Sequence, residues 1–328
     1  MASGGQFSYL PGIVIIPILI GSVVVAVLLF LLRNRIAAHW NLALYYHPVA
    51  LPSFQTVPDV CYTDADFDPK HRLNLYTPTL SGWPVLIFAH GGNWDSGDKN
   101  MRMAANADVY NNIGRFYAAR GIWVAIVNYR LQPTVSWREQ VADLAAATAW
   151  LYGNIAKRGG DPKRLFLCGH SAGAQLASHM AFDPVVLANI GLSSEIIAGV
   201  ISVSGAGLDI TDEKTYALGA NRADYAKRFA GSDTSNDWQK VASPITYVGP
   251  HVPPCLVLYA KGEPKRFRRQ SELLAAALAE NNLPHRLFAV PGLNHTGIML
   301  TLSNPGKPAS DAVLNFIRDP AAATAAKR

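Results

Sequence analysis

Arg164-Leu-Phe-Leu-Cys168 runs directly into Gly169-His170-Ser171-Ala172-Gly173, and Gln175 to Ala181 then has the composition of a helix. A short apolar run that stops at glycine reads as a buried strand. A strand, a G-x-S-x-G pentapeptide and a helix in that order make a very tight turn. Such a turn holds its serine in a strained backbone conformation, and the flanking glycines let the chain pass without Cβ clashes. A hydroxyl presented in this way at a strand end is a candidate nucleophile. Without the strand and the helix, the same five residues would read as a Gly-rich turn with a capping serine.

About 80 residues upstream, Pro84 opens another solid apolar run, Val85 to Ala89, which ends in His90-Gly91-Gly92-Asn93-Trp94. Attack on a carbonyl develops negative charge on its oxygen, and backbone N–H groups aimed at that point stabilise it. One N–H from Gly91 or Gly92, together with that of Ala172, would make such an oxyanion hole. Asn93, Trp94 and His170 are expected to border the substrate pocket, although His170, next to the nucleophile, would itself point away from the serine.

A serine needs a base to accept its proton, and the base needs an acid to orient it. Of the nine histidines, His295 stands in Pro291-Gly292-Leu293-Asn294-His295, a loop after the last expected strand, and it completes the order serine, acid, histidine. The acid is expected at Glu263, in the turn Lys261-Gly262-Glu263-Pro264-Lys265 that follows the strand Cys255–Ala260. Asp209, after the preceding strand, is the rival. An exposed loop carboxylate paired with nearby arginines is the bland alternative for Glu263.

The rest of the chain supplies a frame for these residues. Strand signals occur at Val60–Tyr62, Leu73–Tyr76, Ile122–Val127, Ala198–Ser204 and Arg286–Val290. Helices are expected at Asn111–Arg120, Ser136–Lys157, Phe267–Asn281 and Ala309–Ile317. In the second of these Val141, Leu144, Ala145, Leu151 and Tyr152 share one face, with Thr148 the polar interruption. Continuous apolar strands alternating with helices predict the α/β class, with a mostly parallel central sheet covered by helices on both faces. Residues 207–247, irregular and polar, are expected as a short insertion over the C-terminal edge of the sheet, where ligands bind in such folds.

The chain begins differently. Ile13 to Leu32 is twenty residues without a charge, long enough as a helix to span a hydrocarbon core of about 30 Å. A cleaved signal peptide would have a basic start, a shorter apolar run and a small-residue cleavage site, and none of these is present. Arg33 and Arg35 follow directly, so the positive-inside rule places the globular part in the cytoplasm, with the aromatic stretch Trp40 to His47 near the headgroups. The expected organisation is a tail at 1–12, a transmembrane helix at 13–32 and a juxtamembrane linker at 33–58. A catalytic domain at 59–319 and a flexible tail at 320–328 complete it. Net charge is +6, but the basic residues are scattered, which speaks against nucleic acid as a partner. Cys61, Cys168 and Cys255 lack metal-ligand spacing and read as free thiols.

Taken together, HGGNW at 90–94, NYRL at 128–131, GGDP at 159–162, GHSAG at 169–173 and RFRRQS at 266–271 resemble the α/β-hydrolase superfamily. The resemblance is to its HGG-type esterases, the group of hormone-sensitive-lipase-like, feruloyl-esterase-like and kynurenine-formamidase-like enzymes, and it covers about 60–318. It implies a serine carboxylesterase fold with Ser171 as nucleophile, His295 as base, and the amides of Gly91, Gly92 and Ala172 as oxyanion donors. It also implies small-to-medium or lipid-borne ester substrates and no metal or organic cofactor. Glutamate at 263 departs from the more frequent aspartate, and the membrane anchor departs from most soluble relatives, prenylcysteine methylesterases being anchored ones. An arylformamidase-type amidase would use the same residues. A non-catalytic binding protein on this fold would more often have lost one of the three. The oligomeric state is not legible.

Overall fold

In a computed structural model of the chain, residues 25, 29, 36, 40–49, 54–63, 68–78, 82–103, 107–231 and 237–320 are described. Eight strands form one sheet: β1 (Phe54–Cys61), β2 (Arg72–Pro78), β3 (Trp83–Ala89), β4 (Trp123–Val127), β5 (Gly160–His170), β6 (Ile197–Val203), β7 (Cys255–Ala260) and β8 (His285–Val290). Their spatial order is β1-β2-β4-β3-β5-β6-β7-β8. β1 and β2 pair antiparallel, as do β2 and β4, and every later neighbour is parallel.

The central strands show no polar–apolar alternation because both of their faces are covered. Val85, Ile87 and Ala89 of β3 enter one buried cluster, and Leu86 and Phe88 enter the other. β5 divides in the same way, Leu165 and Leu167 against Phe166 and Cys168. The first cluster is closed by the helices Trp137–Asn154, Ala172–Phe182 and Lys265–Glu280, the second by Val109–Ala118, His295–Thr301 and Pro308–Arg318. Each large aliphatic or aromatic side chain so buried contributes about 1.5–3 kcal/mol. The helix Trp137–Asn154 starts where its sequence says it should: Ser136 and Glu139 form a capping box, satisfying amides that a first turn leaves free.

Several expectations shift. β1 begins at Phe54, inside the stretch expected as linker; its half-buried Phe54, Val57 and Val60 fall three apart, not at the alternate positions that mark a strand in sequence. Tyr152 is 39% exposed and does not share the buried face of its helix, whereas Thr148 is buried and donates its hydroxyl to Leu144 O. Residues 207–247 are more regular than expected, with short helices at Glu213–Ala217, Arg222–Phe229 and Trp238–Ala242. The three cysteines are free thiols. Among the described residues no helix is long and apolar enough to cross a membrane. The expected span 13–32 lies outside the described residues except for Val25 and Leu29, both helical, and the tails at 1–12 and 321–328 lie outside them entirely.

Residues 40–45 end a helix, and 41–49 pack on the domain: Leu42 is buried, and Asn112 bonds both His47 O and Val49 N. Because β3, β5, β7 and β8 run parallel, the loops after them meet at one edge of the sheet.

Candidate active site

Ser171 sits between β5 and the helix Ala172–Phe182 with φ 55° and ψ −117°, a region that L-residues occupy only when surrounding structure forces it. The forcing contacts are plain. Ser171 N donates to Val203 O at 3.0 Å, and Ala206 N donates to Ser171 O at 3.3 Å. A Cβ at Gly169 would lie 2.1 Å from Gly173 O, and one at Gly173 would lie 2.3 Å from Ala89 O. Both glycines of the pentapeptide are therefore demanded by backbone passing close to them, and the second ties the elbow to the end of β3.

At that end, His90 is wholly buried, with its ring stacked on Tyr129 at 4.3 Å and its carbonyl accepting from the Tyr129 hydroxyl at 2.7 Å. Burial pushes its imidazole down to about 4, so it is a neutral strut. Gly91 has a task other than the one expected of it: its N–H donates to the Tyr110 hydroxyl at 3.1 Å. Gly92, at φ +132°, keeps a free N–H among the described residues, as does Ala172 at the first position of its helix, where amides have no partner within the helix. These two N–H groups are left free to receive an anion.

His295 opens the helix His295–Thr301, whose N-cap is Asn294 with its side chain accepting from Gly297 N. Its Nδ1–H donates to Glu263 Oε2 at 2.9 Å, which leaves Nε2 as the nitrogen that can act as base. The Glu263 carboxylate is fully buried. Desolvation disfavours both charged forms: burial pushes Glu263 up, to about 7, and pushes His295 down, to about 4, with the Arg266 charge adding to the latter. Asp209 is engaged elsewhere, its carboxylate accepting from the amide and hydroxyl of Thr211 at 2.9 and 2.6 Å. The structure thus brings Glu263 and not Asp209 to the histidine.

Of the three expected pocket residues, Asn93 and Trp94 line a cavity of about 270 Å³ that contains Ser171. His170 does not. It is buried, and its Nε2–H donates to His295 O at 3.0 Å, so it fixes the backbone of His295. Tyr225, Arg266 and Phe267 also line the cavity. Sequence reading missed all three, and the Phe267 ring is stacked on His295 at 4.2 Å. Phe267 and Arg266 lay in segments recognised only as a helix start and a basic cluster, and nothing in the sequence says what they face. Two larger cavities, of about 350 and 540 Å³, contain neither Ser171, Glu263 nor His295.

The family model BD-FAE matches residues 73–278, more than half of the chain, including Gly92, Ser171 and Glu263. Over 268 residues the chain is 28% identical to Esterase LipQ of Mycobacterium tuberculosis, covering 78% of this chain and 61% of that protein. Over 112 residues it is 40% identical to the Probable isoprenylcysteine alpha-carbonyl methylesterase ICMEL1 of Oryza sativa subsp. japonica, covering 34% of this chain and 24% of that protein. The chain thus spans between about a quarter and three fifths of the length of these curated relatives. Esterase B from Lactobacillus Rhamnosis superposes with a TM-score of 0.70 at 22% identity, covering 93% of this chain and 96% of that one. That likeness carries the expected α/β-hydrolase fold, and the names agree with the expected class of ester-cleaving serine hydrolases.

Proposed function

The chain belongs to the BD-FAE family, and from that premise and the geometry at Ser171 we propose that it is a serine carboxylesterase with a Ser171–His295–Glu263 triad. The observation that carries the reading is the 2.9 Å bond between His295 Nδ1 and the buried Glu263 carboxylate, on loops that leave the sheet at the same edge as the strained Ser171.

The chemistry follows from these positions. Ser171 Oγ attacks the ester carbonyl carbon while His295 Nε2 takes the hydroxyl proton. The carbonyl π electrons move onto oxygen, and the N–H groups of Gly92 and Ala172 receive the resulting oxyanion. Glu263 holds Nδ1–H and stabilises the imidazolium. Collapse of the intermediate re-forms the carbonyl, breaks the C–O bond and returns the proton from Nε2 to the departing alcohol. Water then attacks the acyl-serine by the same route, releasing the acid and regenerating the serine.

A cavity of about 270 Å³ favours small-to-medium esters. We also propose that residues 13–32 anchor the chain in a membrane, with Arg33 and Arg35 keeping the catalytic domain on the cytoplasmic side. The exposure of Trp40 and Leu44, 63% and 56%, supports an interfacial position for the segment that follows.

A second reading, hydrolysis of an S-prenylated cysteine methyl ester, is favoured by the name of the rice relative and by the apolar run, which would keep the site near lipid-borne substrate.

The test is turnover of p-nitrophenyl acetate, butyrate and octanoate by the full-length chain in detergent, beside Ser171→Ala and beside an S-farnesyl cysteine methyl ester. Hydrolysis that disappears in the variant supports the proposal, and the preferred ester chooses between the two readings. Folded protein that neither turns over any ester nor reacts with a fluorophosphonate would overturn it.

A further inference from the structure

The loop that carries the base is held from two directions. From within the domain, Gly262 N donates to Leu293 O at 2.9 Å, His170 Nε2–H donates to His295 O at 3.0 Å, and Glu263 accepts from the ring. From outside come residues far away in sequence. The Tyr45 hydroxyl donates to Gly292 O at 3.1 Å, and Asn294 Nδ2 donates to Asn41 Oδ1 at 3.1 Å. The Tyr45 ring lies so close over Gly297 that a Cβ there would be 3.2 Å from its carbons.

This outer segment is itself fixed to the body of the domain. Asn304 Nδ2 donates to Tyr45 O at 2.6 Å, Leu42 is buried, and Asn112 grips the backbone at His47 and Val49 with bonds of 2.8 Å each. Asn112 also reaches Ser303 Oγ at 2.9 Å, just beyond the helix that His295 opens. A strand-end loop of this kind would otherwise be free on its solvent side, and a displacement of about 1 Å at a catalytic group costs about a hundredfold in rate.

We propose that Asn41 and Tyr45, seated on the domain through Leu42, His47 and Val49, are a brace for the catalytic base, and that Tyr45 is a positioning residue acting through Gly292 and Gly297 on His295. The proposal rests on reading His295 as the base. It makes the site depend on a segment that lies before the first strand and eight residues after the charge-free stretch.

The experiment compares full-length wild type with Tyr45→Phe, Tyr45→Ala and, as a control on the outward side of the same helical turn, Leu44→Ala. Turnover of p-nitrophenyl butyrate is expressed per serine titrated by a fluorophosphonate, and hydrogen exchange is followed at amides 292–301. Tyr45→Phe is expected to lower kcat about threefold and Tyr45→Ala about tenfold, with KM within about twofold. Exchange at 292–301 is expected to speed up in the same order, and Leu44→Ala to match wild type. A merely stabilising contact would lower the melting temperature while leaving kcat per titrated site and exchange at the loop unchanged, and that result would overturn the brace. If the wild type neither hydrolyses esters nor labels, the esterase reading has failed, and exchange at the loop still decides whether Tyr45 holds it.

Discussion

Phe267 lies nearly flat on the His295 imidazole, with ring centres 4.2 Å apart and planes 21° from parallel. The Arg266 guanidinium stands 4.7 Å from the centre of the same Phe267 ring, and the His170 ring lies 4.7 Å from that of His295. His295, the proposed base, is thus packed by aromatic neighbours as well as hydrogen-bonded at Nδ1, and its ring plane is fixed by them. Phe267→Ala is expected to lower kcat about tenfold as the ring gains freedom, and Phe267→Leu to retain part of the loss. Steady-state kinetics on a short p-nitrophenyl ester, normalised to active serine, measures this.

The acid side of the pH profile carries a signature. The proposed mechanism needs His295 neutral and Glu263 ionised, and falling pH removes both forms. With His295 pushed down to about 4 and Glu263 up to about 7, kcat/KM is expected to decline as pH falls through the window between those values. Arg266→Gln removes a positive charge that disfavours the imidazolium, so the His295 pKa rises and the acid limb moves to higher pH. An unmoved limb would show that this charge does not act on the base.

Two carboxylates competed for one role, and their surroundings separate them. Glu263→Gln keeps the shape but takes the anionic acceptor from His295 Nδ1, and kcat is expected to fall by about 10³–10⁴. Asp209→Asn disturbs only the turn closed on Thr211 and is expected to leave kcat within about twofold. Parallel assays of the two variants make the comparison.

Tyr110→Phe tests what Gly91 does. Losing the hydroxyl strands a buried N–H, which costs about 1–3 kcal/mol of stability. Chemical denaturation should show that loss, with kcat per folded molecule close to wild type. A large fall in kcat without destabilisation would return Gly91 to the oxyanion hole.

The parts of the molecule that were legible beforehand are those where one local rule decides. Val85–Ala89 and Leu165–Cys168 are apolar on both faces, which only a doubly covered strand requires, and Gly169 and Gly173 are glycines because backbone lies within 2.3 Å of any Cβ there. The order Ser171, Glu263, His295 could be read because each follows a strand. What escaped is decided across the fold. β1 is a half-exposed edge strand whose apolar residues do not alternate; Gly91 loses its amide to a tyrosine on a neighbouring helix; His170 turns to a carbonyl 125 residues away. Residues 41–49 carry no periodicity at all, and their place is fixed by Asn112, Asn294 and Asn304, polar side chains whose partners no local window contains.

The loops after β5, β7 and β8 deliver the three side chains of the proposed triad, and β6 must be in place between β5 and β7 before those loops can meet. The proposed ester hydrolysis would therefore be a clock for the last stage of refolding. Helical signal and collapse can return early, since the helices form locally, but pairings between segments so distant in the chain form slowly. Activity regained after dilution from denaturant should lag behind far-ultraviolet circular dichroism and keep pace with protection of the amides in β7 and β8.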